Sequence, residues 1–502
     1  MRDAVQRSRP SRARGRSLAP VASVAIAALF GCSATALRPR ACTSSGECRA
    51  AFGLGSVCGD GGYCEPPQQH PRCSEAFPPE LLLEPEAYAD HVVIGSMFGF
   101  VDHRDTLRAA ELAIRQLERE KVGDDLAFAM LHCDTTEMAG DDATDLEASA
   151  AVATFLAEVV GVPAIVGPRG SARTEAAFAA IHDAGVLLIS PSATSPTLGE
   201  LDRLDPTFEA PGLLWRTVPP DTLQATVIAT DMRARGVANV AVIYQAGPYG
   251  DGLTRLFETR FTALGGGPLD KHTFENGQFS PIVAKVAESL TAGDVDEVLF
   301  LSSDIMDYVA FLHAAVATDE LLAAYTGDGV GIFLADAAYN TTLIASTWER
   351  SAELYPRVRG TRPAPAEGVL FNTFAAAYSA EYDEDANSSG FTPHSYDAAW
   401  LVAYGVAWAK LVEGEIDGVG IARGLRRITG GDPVEIEPTS WPVVLDRFAH
   451  ETPIDVEGAS GPLDYNPDTE ETSAPIELWS IAQDPEADYG WTFDALARID
   501  PG

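Results

Sequence analysis

Residues Ala164–Leu198 read AIVGPRGSARTEAAFAAIHDAGVLLISPSATSPTL, and their pattern decides the fold class. AIVGP is a short apolar run closed by Gly-Pro. SARTEAAFAAIHDAG has helical spacing, with Ser171 at the expected N-cap and Gly185 at the stop, and VLLIS is a second buried-strand run. Two strands joined by one helix form a βαβ unit, so they lie parallel with their C-terminal ends on one sheet edge. Gly170-Ser171 and Ser192-Ala193-Thr194 then hang side by side from that edge, where open α/β sheets bind ligands. The helix start adds unpaired N–H groups and a positive dipole end, suited to a carboxylate or phosphate.

A chain of 502 residues exceeds a single core and predicts two or three folded units. Its 73 acidic against 35 basic residues give a net charge of −38, a surface that repels nucleic acid and excludes that class of partner. Residues 1–31 read as a lipoprotein signal peptide. Arg2, Arg7, Arg9, Arg12, Arg14 and Arg16 form a basic start, and Leu18–Phe30 is an apolar run of 13 residues, too short to span a bilayer. It ends in Leu29-Phe30-Gly31-Cys32, which resembles a lipobox with Cys32 as the lipidated residue; Ala34-Thr35-Ala36 offers an ordinary cleavage site instead. Either way the mature chain is expected outside the cytoplasm. With Cys32 lipidated it sits on the periplasmic face of the inner or outer membrane, or on the cell surface, and the lipid is its sole membrane contact.

Six cysteines remain: Cys42, Cys48, Cys58, Cys64, Cys73 and Cys133. An even count in an exported chain reads as disulfides, and residues 32–87 as a Cys-rich disulfide module or linker. Zinc is the competing reading, weakened by the absence of a C-x-x-C pair and by His70 as the only nearby imidazole. Cys133 either bridges to Cys73 or stands as a buried free thiol.

From His91 onward strands and helices alternate: VVIG, a helix over 106–119, LAFAML, a helix over 145–160, then the opening stretch. LWRTVPPD, with its paired prolines, reads as a hinge. Beyond it the alternation restarts with VANVAVIY, HTF, DEVLFL and IFLAD as strands, followed by EGVLFNTF, a helix over 395–412, a helix near 419–428 and a β-like tail around PIELWSIA. Repeated βα units predict parallel sheets covered on both faces.

The segment also resembles the leucine/isoleucine/valine-type (branched-chain amino acid) solute-binding proteins of ABC transporters. Gly167, Pro168, Ser171 and Thr174, then Ile189, Ser190, Pro191, Ala193, Thr194, Pro196 and Leu198, stand where that family has G-P-x-x-S-x-x-(T/S) and I-S-P-x-A-T-x-P-x-L. Arg216-Thr217-x-Pro219-x-Asp221, Tyr249-Gly250-x-Gly252-Leu253, Phe279-Ser280-Pro281, Tyr396-Asp397-Ala398 and Gly461-Pro462-Leu463-Asp464-Tyr465-Asn466 continue the likeness in order. The resemblance implies the type I periplasmic-binding fold: two α/β lobes, each a parallel sheet flanked by helices, joined by three crossings. Lobe 1 is expected over 88–218 and 376–450, lobe 2 over 219–375 and 451–495, with crossings near Pro219, near Phe374 and before Gly461.

Carried across residue by residue, the resemblance gives Ser171 to a ligand's α-carboxylate, Thr194, Asp336 and the Ser192 carbonyl to its α-ammonium, and Tyr249 to a covering wall. Each has an ordinary alternative: helix cap for Ser171, turn hydroxyl for Thr194, solvated acid for Asp336, helix-start packing for Tyr249. A family wall tyrosine falls on Ser303, which widens the expected ligand range. Phe98 and Phe100 read as core residues that otherwise line the cleft. Arg169 and Arg173 flank Ser171 and read as solvated surface, with anion binding as the alternative.

No H-E-x-x-H, phosphate loop or G-x-S-x-G elbow occurs, and Gly327–Gly331 precedes a strand rather than a helix. The reading is therefore not an enzyme, with no cofactor and no metal. It is a solute-binding lipoprotein that captures an amino-acid-like zwitterion or anion for an ABC permease. The alternative is a sensor or outer-membrane lipoprotein of the same fold that binds a ligand or cell-wall partner, favoured by Ser33 after Cys32 and by the added disulfide segment.

Overall fold

Strand order, rather than helix packing, locates everything that follows. The computed structural model describes residues 40–500 apart from 121–125, 137, 139, 203–204 and 276. The fold is that of Ala41–Gly502; the smaller unit, Met1–Arg40, holds the expected export signal and Cys32, which lie outside the described residues. The first sheet runs Glu75–Phe77, Phe128–Asp134, Val92–Phe98, Ala164–Val166, Leu187–Ser190, Leu214–Arg216, parallel except for its first strand. The second runs Trp491–Ile499, Ile476–Gln483, Val358–Pro363, Gly331–Leu334, Glu297–Leu301, Val240–Gln245, Asp270–Phe274, with Ile476–Gln483 antiparallel to both its neighbours and the other pairs parallel. Both are type I periplasmic-binding sheets. Each reverses its strand order once, between Val92–Phe98 and Ala164–Val166 and between Val240–Gln245 and Glu297–Leu301, and such switch points open a crevice at the strands' C-terminal ends.

The strands are continuous apolar runs because helices bury both faces. Ile94, Val166 and Ile189 face one core of the first lobe, and Val93, Ile165 and Leu188 the other. The helix Thr392–Trp408 forms the pillar of the first core: all 17 of its residues are buried, which explains a sequence apolar on every side. Its polar residues fasten neighbouring segments. His394 Nδ1 lies 2.9 Å from the Thr217 carbonyl, and Ser395 donates to the Thr106 carbonyl at 2.7 Å. Asp397 accepts from the Ala459 and Ser460 N–H groups at 3.0 and 2.7 Å. Burial pushes the Asp397 carboxyl up to about 7 against the pull of those donors.

Several expected boundaries move. The strand Val358–Pro363, unread in the sequence, ends the second lobe's first pass, and the chain crosses between it and the helix Val369–Tyr382. That helix puts Phe374 and Tyr378 into the first core, so Phe374 is not a crossing and the boundary at 375/376 lies too late. The boundary at 450/451 lies too early. Ile454–Gly458 pairs with Asp432–Glu435, and Ile454, Val456, Leu463 and Tyr465 also join the first core, leaving the third crossing between Tyr465 and Ile476. The first lobe's sheet begins at Glu75, inside the segment expected to be linker. Ser171 is not the cap: Gly170 holds that position at φ 81°, the left-handed region glycine tolerates, and Ser171 is the first helical residue.

Cys42 pairs with Cys58, Cys48 with Cys64 and Cys73 with Cys133. The close grouping of Cys42, Cys48 and Cys64 thus consists of disulfide sulfurs and offers no thiolate to zinc. Arg49, from the helix Ser45–Phe52, donates to the carbonyls of Glu158 and Val159 at 3.3 Å, seating the segment on the first lobe. The Cys73–Cys133 bridge joins residues 60 apart, and closing a loop of that length is worth about 4 kcal/mol. The double variant Cys73→Ser/Cys133→Ser should lose about that much unfolding free energy in a urea titration. It should also speed amide exchange in Glu75–Phe77; an unchanged midpoint would show that the sheet edge does not depend on the bridge.

Candidate functional site: a cleft between the lobes

Apart from Phe391, which stands at the start of the helix Thr392–Trp408, every residue at this site follows the C-terminal end of a parallel strand. Ala164–Val166 delivers Gly167–Ser171, and Leu187–Ser190 delivers Ser192–Ser195. From the second lobe, Val240–Gln245 leads to Tyr249, Glu297–Leu301 to Ser303, and Gly331–Leu334 to Asp336. Gly167 sits at φ 101°, and a Cβ there would lie 2.4 Å from the Met97 carbonyl, so the turn after the strand requires glycine.

Arg169, Gly170, Ser171, Ser192, Tyr249, Ser303, Asp336, Ala337 and Phe391 line a narrow cavity between the lobes, which in this closed arrangement has room for about one water. It opens at Gly170, Tyr249 and Ser303 into a wider mouth that also meets Asp145, Arg173, Gln245 and Glu275. A Cβ on Gly170 would stand 3.6 Å from Ser303 Cβ, so the lobes nearly touch at this neck. The Ser195 hydroxyl spans them as well, donating to the Pro248 carbonyl at 2.8 Å.

The first-lobe wall is rich in donors. Ser192 Oγ accepts from the Gly170 N–H at 3.1 Å, and Ser171 Oγ accepts from the Ser195 N–H at 3.1 Å; each hydroxyl keeps its own proton to donate. The helix Ser171–Ile181 directs its positive end here. Arg169 is 6% exposed, its guanidinium carbon 5.1 Å from the centre of the Phe391 ring and one nitrogen 3.9 Å from Asp105. Burial lowers its pKa. The expectation of a solvated Arg169 is thereby overturned. Arg173 pairs with Asp145 at the mouth.

The second-lobe wall is acidic. Tyr249 donates its hydroxyl to Asp336 Oδ1 at 2.5 Å, and the Ala337 N–H donates to the same oxygen at 2.9 Å. Burial raises the Asp336 pKa, opposed by these donors and by Arg169; burial and then the Asp336 charge drive Tyr249 well above the usual tyrosine value. Asp221, the first residue of the helix Asp221–Ala234, is wholly buried with neither carboxyl oxygen hydrogen-bonded. Burial pushes it well above the carboxylate range, and the charge on Asp336 pushes the same way. The Thr194 hydroxyl is near enough to temper that rise, yet its oxygen closes no hydrogen bond either. Behind the turn, Arg216 donates to the carbonyls of Ala193 and Ser195 at 3.2 and 2.7 Å and pairs with Glu471, fixing the turn's shape.

The structure brings Ser171, Ser192, Tyr249 and Asp336 to one cavity and places Thr194 behind it, beside Asp221. Phe98 is fully buried in the first core and Phe100 is half-buried against it. Arg169, Phe391 and Asp221 were not read as site residues. Arg169 had a signal, since it stands in the Gly-Pro-Arg-Gly-Ser turn at a helix start; Phe391 had none, being remote in sequence. Elsewhere, Ser96 Oγ lies 2.6 Å from His132 Nδ1, and His132 Nε2 2.9 Å from Glu111. This chain looks like a nucleophile relay, but Ser96 and His132 are fully buried in the sheet and no substrate reaches them.

Residues 106–421 match the receptor family ligand binding region. Among solved structures, a leucine-binding protein from Thermotoga maritima superposes with a TM-score of 0.60 at 18% identity, over 82% of this chain and 99% of that one. The branched-chain amino acid transporter substrate-binding protein of Streptococcus pneumoniae, in complex with isoleucine, gives 0.59 at 19% identity over 82% and 99%. A solute-binding protein from R. palustris, in complex with 4-hydroxybenzoate, gives 0.61 at 14% over 82% and 97%. An uncharacterized protein of Methanocaldococcus jannaschii is 28% identical over 144 residues, 28% of this chain and 34% of that protein. The chain thus spans about a third of the length of that curated relative.

Because Asp221 is more easily protonated folded than unfolded, its contribution is fully present at low pH and is lost as pH rises through its raised folded value. Asp221→Asn should therefore gain stability relative to the natural protein on going from pH 5 to pH 9, read by urea unfolding. A difference that stays constant with pH would contradict a buried, protonated Asp221.

Proposed function

The chain belongs to the receptor family ligand binding region, and on that premise we propose that it is an extracytoplasmic solute-binding protein. It captures a small amino-acid-like molecule in the interlobe cleft and presents it to an ABC permease, with no chemical transformation. The observation that supports this most is the polarity of the cavity: donors from Ser171, Ser192 and the helix start on one wall, Tyr249 and Asp336 on the other. A zwitterion matches that division, its carboxylate toward the donors and its ammonium toward Asp336, and the enclosed setting strengthens both contacts.

Thr194 sits behind this pole, beside Asp221, with its hydroxyl oxygen unpartnered. Closure follows from the same division. A ligand held by both lobes stabilises the arrangement in which Gly170 approaches Ser303, with hinge motion at the three crossings. Among the described residues no helix is long and apolar enough to cross a membrane; the lipobox-like Leu29-Phe30-Gly31-Cys32 is what supports attachment through a lipid on Cys32.

Thermal-shift and calorimetric titrations with leucine, isoleucine and 4-hydroxybenzoate test the reading. A ligand at 100 times its Kd should add about 2.7 kcal/mol of stability. Ser171→Ala and Asp336→Asn should each weaken the binding solute about tenfold or more, the loss of one hydrogen bond to a charged group. A molecule that binds equally well to both variants would remove the cleft assignment, and failure of every solute to bind would remove the solute-binding reading.

A further inference from the structure

Arg169 is the one strongly polar group at the cavity whose donors have no partner at hydrogen-bond distance. A guanidinium carries five N–H donors in its plane. Among the described residues Arg169 makes no hydrogen bond: its ion-pair contact with Asp105 is at 3.9 Å, and its contact with Phe391 is through the ring face. The guanidinium carbon lies 5.1 Å from the centre of the Phe391 ring, a cation–π contact that uses none of its N–H groups as hydrogen-bond donors. The side chain is 7% exposed, which leaves the fork only a small opening to solvent, and the residue lines the cavity that also holds Ser192, Asp336 and Phe391. A buried cation with open donors is costly unless a partner meets it.

We propose that Arg169, stacked on Phe391, is the specificity-determining residue of the cleft and selects solutes bearing a planar carboxylate, which its N–H fork grips at two oxygens. This rests on the solute-binding reading above and deepens it. Anion recognition moves from the Ser171 turn, which supplies single donors, to a side chain that discriminates by charge and shape together. Arg169 belongs to the first lobe, whereas Phe391 packs in the second lobe's apolar core with Leu334 and Trp479, so the clamp forms where the two lobes meet. The solute's carboxylate would therefore be gripped at the lobe boundary, opposite Asp336.

Ligand-side and protein-side changes test this together. Calorimetry on the full chain compares leucine with leucinamide and 4-hydroxybenzoate with 4-hydroxybenzamide, pairs that differ in the carboxylate. Whichever acid binds, its amide should bind about thirtyfold more weakly or worse, the loss of a charge-assisted pair of hydrogen bonds. Arg169→Met should weaken the acid by a similar factor and reduce its preference over the amide to less than about threefold. Arg169→Lys, which keeps the charge and loses the fork, should recover only part of the affinity. Equal binding of acid and amide by the natural protein overturns the proposal even if Arg169→Met fails to fold. An unchanged acid affinity in a folded Arg169→Met also overturns it, while leaving the solute-binding reading intact. No binding by any of the four compounds overturns both.

Discussion

Parallel strand pairing is the constraint from which the site follows. Because consecutive strands of each lobe point the same way, the segments after Ala164–Val166, Leu187–Ser190, Glu297–Leu301 and Gly331–Leu334 all leave from strand C-terminal ends. The crossings then turn two such edges toward each other. Four short turns, distant in sequence, thereby supply Arg169, Ser171, Ser192, Ser303 and Asp336 to one cavity without any long loop. Helix starts at Ser171 and Pro248 add oriented N–H groups at the same edges, so a positive potential at the cleft is built into the backbone.

Against that background the charged side chains set the chemistry. Arg169 on one wall and Asp336 on the other are both nearly excluded from solvent, and burial opposes ionisation in each. Their attraction across the cavity offsets part of that cost, as the effect of Arg169 on Asp336 shows. A molecule carrying both signs of charge would satisfy both walls, whereas a neutral solute would leave each with the penalty. Burial, and then the charge on Asp336, push the Asp221 carboxyl well above the usual carboxylate range, which favours its neutral form beside Asp336.

Much of this was legible in the sequence for a physical reason. Buried parallel strands need unbroken apolar runs, and the turns after them need small residues, so AIVGP and VLLIS announced themselves along with Ser171 and Ser192. The crossings were harder. Val358–Pro363, reading VRGTRP, carries two arginines that pair with Asp231 and Glu477, so its strand character was masked by charge. Ile454–Gly458 was assigned to the wrong lobe because its partner, Asp432–Glu435, is short and acidic. Arg169 was read as surface because an arginine among turn residues is usually solvated. Only the fold, by bringing Phe391 beneath it, makes it a buried group.

Capture in the cleft requires one small molecule to bridge the two lobes through Arg169 and Asp336. A crystal structure of the protein with a solute that raises its melting temperature tests this most directly. Ligand density is expected in the cavity, with a carboxylate within hydrogen-bond distance of the Arg169 fork and a donor group within reach of Asp336. Density confined to a single lobe, or seated elsewhere while this cavity holds only water, would contradict it.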